Sequence, residues 1–254
     1  MCKYKIKEKN KEFQEIFGVH AVRAALENPK RKNFELNIIK KHSDFSLKYS
    51  KKVQNIRVYE NKEFYKKFGN ENVNQGMVLK CKELISINFE KFIISENSKK
   101  NSIILILDQI QDPQNIGSII RSCSLFDCRG IIVSKNHSPN ITSTIIKSAS
   151  GAVEVVDYIK VTNLNRSIKF LKKNGYWVFG LDNSKEKKKM VDVISPKTVF
   201  VLGSEGRGLR NLIKKECDDV IALPFKPNDN YKIDSLNVSN AASIALYEFF
   251  KKFN

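Results

Sequence analysis

Four continuous apolar runs set the strongest limit on what this chain can fold into. They are Ile103–Leu107 (IILIL), Gly130–Val133 (GIIV), Tyr176–Leu181 (YWVFGL) and Val199–Leu202 (VFVL). Each has strand length and β-branched or aromatic content. A strand apolar on both faces needs cover on both, which a parallel sheet between helices provides. Helical patterns separate the runs. One starts near Pro113, with Ile116, Ile119, Ile120 and Cys123 on a single stripe; others span Ser143–Ser150 and Leu164–Lys173. Val153–Val156 and Asp157–Lys160 read as further strand or extended segments. The alternation predicts an α/β domain over residues 102–254, built on an open parallel sheet.

A second, smaller alternation occupies residues 13–83. Val19, Val22, Ala25 and Leu26 recur at helical spacing, and Pro29 stops that helix. Phe34–Ile39 reads as a strand, Ser46–Gln54 as a helix, Arg57–Tyr59 as a short strand and Glu63–Phe68 as a helix. Gln75–Gly76 marks a tight turn into a last strand ending near Cys81. Residues 1–12 form a basic tail. Residues 84–101 are polar and turn-forming, as a linker between domains would be, with a short amphipathic helix around Phe89–Ile94.

The charge balance points to a polyanionic partner; the alternative is compositional drift, since Lys, Asn and Ile are abundant and Arg scarce, as an AT-rich genome produces. The 254 residues carry a formal net charge of +18, and residues 1–100 hold 23 Lys and Arg against 12 Asp and Glu. Such an excess binds nucleic acid by neutralising phosphates and releasing counterions. The five cysteines are odd in number and include no C-x-x-C pair. They fit a reduced, cytoplasmic setting, and their spacing matches no zinc site, so no metal is expected. No run approaches 18 apolar residues, which argues against a membrane span.

The residues suited to chemistry lie where strands end. Val199–Leu202 empties into Gly203–Ser204–Glu205–Gly206–Arg207–Gly208. Glycines there permit positive φ and let backbone N–H groups approach a ligand. Val220–Leu223 stops at Pro224, and Ser235–Leu236–Asn237–Val238–Ser239 opens the last helix, with Ser235 as an N-cap candidate. Ligands of open α/β sheets bind outside the carboxyl ends of strands. A nicotinamide-binding reading needs G-x-G-x-x-G directly after the first strand, and Asp108–Gln109–Ile110–Gln111 offers none.

Three stretches, PQNIGSIIRSC (113–123), FVLGSEGRGL (200–209) and IALP…SLNVSNAA (221–242), resemble the motifs of the SpoU/TrmH family of RNA 2′-O-methyltransferases, in the SPOUT superfamily. The resemblance implies a deep trefoil knot near the C-terminus and S-adenosylmethionine as cofactor. It implies that Gly203, Leu223 and Leu236 hold that cofactor through their backbones, with Ile221 and Ser235 as neighbours. It gives Arg121 the role of deprotonating or orienting the ribose 2′-hydroxyl; a guanidinium keeps its charge, which favours orientation. Asn115 would fix the loop or the ribose. Glu205 would hold the motif loops together or position Arg121. Asn237 would cap the last helix or bond near the methyl group. A homodimer through the knotted domain is implied, with Arg121 acting near the partner's cofactor.

The segments IFGVHAVRAALEN and NVNQGMVL resemble the RNA-holding N-terminal domain of some members, which is similar to the L30e ribosomal fold. His20 and Arg23 share a helix face there and are candidates for phosphate contact; the alternative for His20 is local packing. Such a module before a SpoU domain resembles the bacterial large-subunit (23S) rRNA guanosine-2′-O-methyltransferases. The alternatives are a tRNA ribose methyltransferase of the TrmH type and a non-catalytic RNA-binding assembly factor. Residues 225–234 make a loop longer than is usual for the family.

Overall fold

The computed structural model describes residues 13–69, 74–182, 190–224 and 235–254. The chain divides into two compact units, residues 1–85 and 86–254.

The first unit is built on a four-stranded mixed sheet. Strand β1 (Phe13–Phe17) runs antiparallel to β4 (Met77–Lys82), and β4 antiparallel to β2 (Asn33–Ile39). Strand β3 (Asn55–Tyr59) adds to β2 in parallel at the edge. Helices α1 (Val19–Glu27), α2 (Ser43–Tyr49) and α3 (Asn61–Phe68) connect them. α1 buries Ala21, Val22, Ala25 and Leu26, as its apolar spacing predicts. Ile39, Tyr59, Phe64 and Val78 form a core cluster, with Phe17, Tyr65 and Phe68 packed on it. The Gln75–Gly76 turn takes positive φ at both residues, 52° and 73°. Asn74, fully buried, pins it by accepting from the Gly76 N–H at 3.1 Å and donating to the carbonyls of Phe68 and Gly69.

Two expectations shift in this unit. The helix expected over 46–54 starts at Ser43, ends at Tyr49 and gives way to a 3-10 turn, Ser50–Lys52. Strand β1 had no clear signal: only Ile16 of its five residues is buried, so there is little apolar periodicity to read.

The second unit carries a six-stranded, all-parallel sheet. Its strands are β5 (Ser102–Asp108), β6 (Gly130–Ser134), β7 (Asp157–Val161), β8 (Trp177–Leu181), β9 (Lys197–Gly203) and β10 (Asp219–Ile221). They lie in the order β10-β8-β9-β5-β6-β7, and every pair is parallel. β5 leads outward through β6 to β7; the chain then crosses to β8 and returns β9 beside β5. The direction of winding therefore reverses between β5 and β9, where α/β sheets open a crevice at their carboxyl ends. Register places Asp108 opposite Gly203, so the loops leaving these two strands start side by side.

Every residue of β5 is buried, as an internal parallel strand requires. Helix α4 (Phe89–Asn97) sends Phe92 and Ile93 into the same core as Ile104, Ile106, Ile132, Val199 and Val201. Its tie to the sheet is also polar. Ser102 Oγ donates to buried Glu96 at 2.8 Å, and the Tyr176 hydroxyl donates to Ser102 at 2.9 Å. Residues from Ser86 onward thus pack as part of the second unit, where the sequence suggested a linker over 84–101. The polar residues that suggested a linker tie or cap this part of the fold: Asn101 donates to the Phe253 carbonyl at 2.8 Å, and Asn88 accepts from the Lys91 N–H at 3.0 Å.

Helices α5 (Pro113–Leu125) and α6 (Ser143–Ala149) cross closely at Gly117, where an added Cβ would lie 2.4 Å from Ser148 Cβ and 2.8 Å from the Ile145 carbonyl oxygen. The Val153–Val156 run, read as strand or extended, begins instead in a 3-10 turn at Ala152–Glu154. Ser150 (φ 51°) and Gly151 (φ 96°) end α6 in left-handed conformations and reverse the chain, so β7 begins only at Asp157. Two backbone angles here overrule β-branched composition. Helix α7 (Leu164–Lys173) follows the sequence pattern; the short helices α8 (Met190–Val193) and α9 (Asn211–Glu216) were not expected from it. The last helix, α10 (Val238–Phe253), buries Ala242, Ala245, Leu246 and Phe249. Residues 225–234, the long loop and part of the path on which a knot depends, lie outside the described residues.

Candidate functional site

Three chain segments meet at the carboxyl edge of the parallel sheet. The first is the start of α5, where Asp112 caps the helix by accepting from the N–H groups of Gln114 (3.3 Å) and Asn115 (3.0 Å), with Pro113 in the first turn. The second is the glycine loop after β9. The third is the start of α10, where Asn237 Oδ1 accepts from the Ser239 N–H (2.9 Å) and hydroxyl (2.6 Å). One residue of each segment contributes to a closed triangle. Asn115 Nδ2 donates to Glu205 Oε1 at 2.7 Å, and Asn237 Nδ2 donates to the same oxygen at 3.1 Å and to Asn115 Oδ1 at 3.1 Å. The two amides converge on one carboxylate oxygen, and their bonds to it are charge-assisted. Glu205 lies 90 residues after Asn115 in sequence, and Asn237 a further 32.

Beside the triangle is a cavity of about 710 Å³. Its lining includes Gly203, Ile221, Leu223, Ser235 and Leu236, together with Glu205 and Asn237. Gly203 is required by close approach: a Cβ there would lie 2.1 Å from the Gly208 carbonyl carbon and 2.4 Å from the Leu209 nitrogen. The loop folds back on itself through a bridge between Ser204 and Gly208, with the Gly208 N–H donating to the Ser204 carbonyl at 2.9 Å. Gly206 (φ 80°) and Gly208 (φ 63°) take backbone conformations that side chains rarely adopt.

Arg121 stands apart from this cavity. It is exposed on α5, opposite the buried Ile119 and Ile120, and among the described residues its guanidinium makes no hydrogen bond or ion pair. Glu205 engages the two asparagines, and no bond from Glu205 to Arg121 is present among the described residues. In the first unit His20 and Arg23 are both exposed on α1, and the Arg23 guanidinium lies 5.9 Å from the Phe45 ring centre.

Sequence reasoning missed two acidic residues of the site. Asp182, directly after β8, lines the cavity and pairs with Lys214 of α9 at 2.5 Å. Asp108, at the end of β5, is buried and holds the Arg210 guanidinium at 2.6 to 3.0 Å. Their signal was a carboxylate closing an apolar strand, ILILD and VFGLD, which reads equally well as a plain strand end. Among the described residues no group of three or more His, Cys, Asp and Glu side chains is placed to hold a metal ion. None of the described helices is long and apolar enough to cross a membrane.

Comparison with known proteins gives a consistent result. Residues 102–247 match the SpoU rRNA Methylase family. The 23S rRNA (guanosine-2′-O-)-methyltransferase RlmB of Coxiella burnetii is 33% identical over 239 residues, covering 92% of this chain and 93% of that protein. A Staphylococcus aureus protein assigned to the TrmH family of tRNA/rRNA methyltransferases is 34% identical over 242 residues, covering 93% and 95%. In structure, the SpoU methyltransferase AviRb of Streptomyces viridochromogenes, crystallised with AdoMet, superposes with a TM-score of 0.76 at 19% identity, covering 95% of this chain and 90% of that one. That last likeness is one of fold.

Proposed function

The chain belongs to the SpoU rRNA methylase family and is an RNA methyltransferase of that family; from that premise we propose that it transfers a methyl group from S-adenosylmethionine to the 2′-hydroxyl of a guanosine ribose in 23S rRNA. The observation that carries this reading is the Asn115–Glu205–Asn237 triangle at the mouth of the glycine-loop cavity. The choice of 23S guanosine follows the Coxiella relative, whose identity extends over both units.

The cavity suits the cofactor. Its volume accepts a nucleoside-sized ligand, the backbone at Gly203 is bare of side chain, and Leu223 and Leu236 supply apolar walls. Gly203, Leu223 and Leu236 hold the cofactor through their backbones, with Ile221 and Ser235 completing the wall. When bound, the cofactor supplies a methyl group already activated on a sulfonium centre. The protein's remaining work is to place the ribose hydroxyl in line with that methyl, the hydroxyl proton passing to bulk water. Asn115 and Asn237, fixed by Glu205, set the rim against which the ribose rests. Arg121 orients the hydroxyl and stabilises its developing negative charge.

Arg121 performs that role across a homodimer. It stands outside its own chain's cavity, on a helix whose neighbourhood is apolar and exposed: Leu125 on α5, and Ile244, Tyr247 and Phe250 on α10. A patch of this kind marks a protein interface. The basic first unit supplies the RNA platform, and the free cysteines Cys81, Cys123, Cys128 and Cys217 suit a cytoplasmic setting. Calorimetry of the purified protein with S-adenosylmethionine, and with its demethylated product, tests the cofactor assignment; binding is expected to persist with chelator present. Mapping 2′-O-methyl groups in rRNA and tRNA, with and without the gene, tests the substrate. Loss of a tRNA site in place of a 23S site overturns the guanosine assignment and leaves the family chemistry standing.

A further inference from the structure

We infer that Asp108 and Asp182 are positioning residues that together set the shape of the glycine loop, and that the cofactor's affinity depends on both carboxylates. The inference rests on the cofactor reading above.

The two carboxylates close the strands on either side of β9. Asp108 ends β5 and Asp182 follows β8, and β9 lies between these two strands. Each accepts a backbone N–H from one of two consecutive residues leaving the loop. Leu209 N–H donates to Asp182 Oδ2 at 3.3 Å, and Arg210 N–H donates to Asp108 Oδ2 at 3.4 Å. Each also pairs with a cation just downstream. Arg210 grips Asp108 with Nε at 2.9 and 3.0 Å and Nη2 at 2.6 Å, and Lys214 reaches Asp182 at 2.5 Å. The loop's exit is therefore held from both sides, once by backbone and once by charge on each side.

The hold reaches the cavity through Gly208. A Cβ on Gly208 would lie 3.0 Å from both oxygens of Asp182, so that carboxylate packs against the loop's last glycine. Gly208 in turn packs against Gly203, and both line the cavity. A shift of either carboxylate moves Gly208, and a shift of Gly208 changes the space over Gly203. The Asp108 side chain is fully enclosed while Arg210 is half exposed, so the pair anchors a surface loop to the sheet interior. A buried carboxylate left without its cation is strongly unfavourable, which makes Asp108 and Arg210 act as a unit.

The test uses the full-length protein and S-adenosylhomocysteine as probe. Asp182→Asn, Asp108→Asn and Arg210→Lys are measured by calorimetry, by hydrogen exchange of residues 203–210, and by methylation kinetics varying cofactor and RNA separately. Each variant is expected to weaken probe binding about tenfold and to speed exchange across the loop. The KM for cofactor rises while the KM for RNA stays, a split that general destabilisation does not produce. Asp182→Asn with Lys214→Gln removes both charges and is expected to recover part of the affinity lost by Asp182→Asn alone. Arg210→Lys keeps the charge and the fold of the enclosed side, and carries the test if Asp108→Asn unfolds. Probe affinity within about twofold of the parent in folded Asp182→Asn and Arg210→Lys overturns the inference. Failure of the parent protein to bind the probe overturns the cofactor reading, and this inference with it.

Discussion

At the scale of single residues the site is a problem of converging hydrogen bonds. Glu205 Oε1 receives two amide donors, and no other described residue replaces it as the common acceptor between Asn115 and Asn237. Glu205→Gln keeps a carbonyl oxygen in that place, whereas Glu205→Ala leaves both amides without their acceptor. Bonds to a charged group contribute roughly 1.5–3 kcal/mol. The alanine variant is therefore expected to lose on the order of tenfold or more in kcat/KM, and the glutamine variant much less; steady-state methylation assays decide it. Gly203 is constrained by space alone. Gly203→Ala puts a methyl group into the Gly208 backbone, which cannot swing aside as a flexible side chain can. Overpacking of this kind costs roughly 1–3 kcal/mol. Its expected expression is weaker cofactor binding by calorimetry, together with a thermal midpoint of the second unit lowered by several degrees.

At the scale of elements, α4 shows how a polar sequence can conceal a structural helix. Its Phe92 ring lies against the Cα of Gly130 on β6, where a Cβ would come within 2.2 Å of the ring. The glycine and the phenylalanine are a matched pair, one supplying the hollow and the other the volume. Phe92→Ala is expected to destabilise the second unit by about 3–5 kcal/mol, read as a lower urea midpoint for that unit. Deletion of residues 84–101 as a dispensable linker is expected to give insoluble protein for the same reason. α5 illustrates the opposite case. Its buried stripe of Ile116, Ile119, Ile120 and Cys123 matches the sequence pattern residue for residue, because a helix against a sheet has little freedom in which face it buries. On α10 apolar residues occupy more than one face: Ala242, Ala245, Leu246 and Phe249 are buried, while Ile244, Tyr247 and Phe250 are exposed. A helix apolar on more than one face does not declare which face turns inward.

At the scale of the whole molecule, charge and symmetry carry the proposals. Lys41, Lys51 and Lys52 are exposed in the first unit. Replacing them by glutamine is expected to weaken RNA binding and to flatten its salt dependence by about 0.7 to 0.9 log units for each phosphate that is no longer neutralised, while cofactor affinity holds. Unchanged RNA affinity after all three replacements removes the first unit as the RNA platform. The proposed dimer makes a sharper demand. Arg121→Ala is expected to abolish methyl transfer yet bind cofactor normally, and Gly203→Trp to block the cavity. Mixed dimers of the two variants regain one intact site, so activity returns on mixing. Absence of recovery, with mixed dimers verified by mass spectrometry, places Arg121 and its own chain's cavity in one site; a monomer at micromolar concentration removes the dimer altogether.

The strands of the parallel sheet were legible because burial on both faces leaves one kind of residue available, as in Ile103–Leu107 and Val199–Leu202. The three motif segments were legible through their resemblance to a family, and within them the positive-φ glycines 206 and 208 and the caps Asp112 and Asn237 are local requirements, written in local sequence. What stayed hidden depends on neighbours distant in the chain. Val153–Val156 looks like a strand until Ser150 and Gly151 turn the backbone, and 86–101 looks like a tether until Phe92 meets Gly130. Asp108 and Asp182 gave a signal that reads equally well as a plain strand end, because a carboxylate there acquires its meaning from the cation that reaches it. Arg210 is 102 residues from Asp108 in sequence, and Lys214 comes to Asp182 from a helix too short to read. Periodicity records which side of an element faces the interior; the order in which strands line up, β9 between β8 and β5, determines which charges face one another.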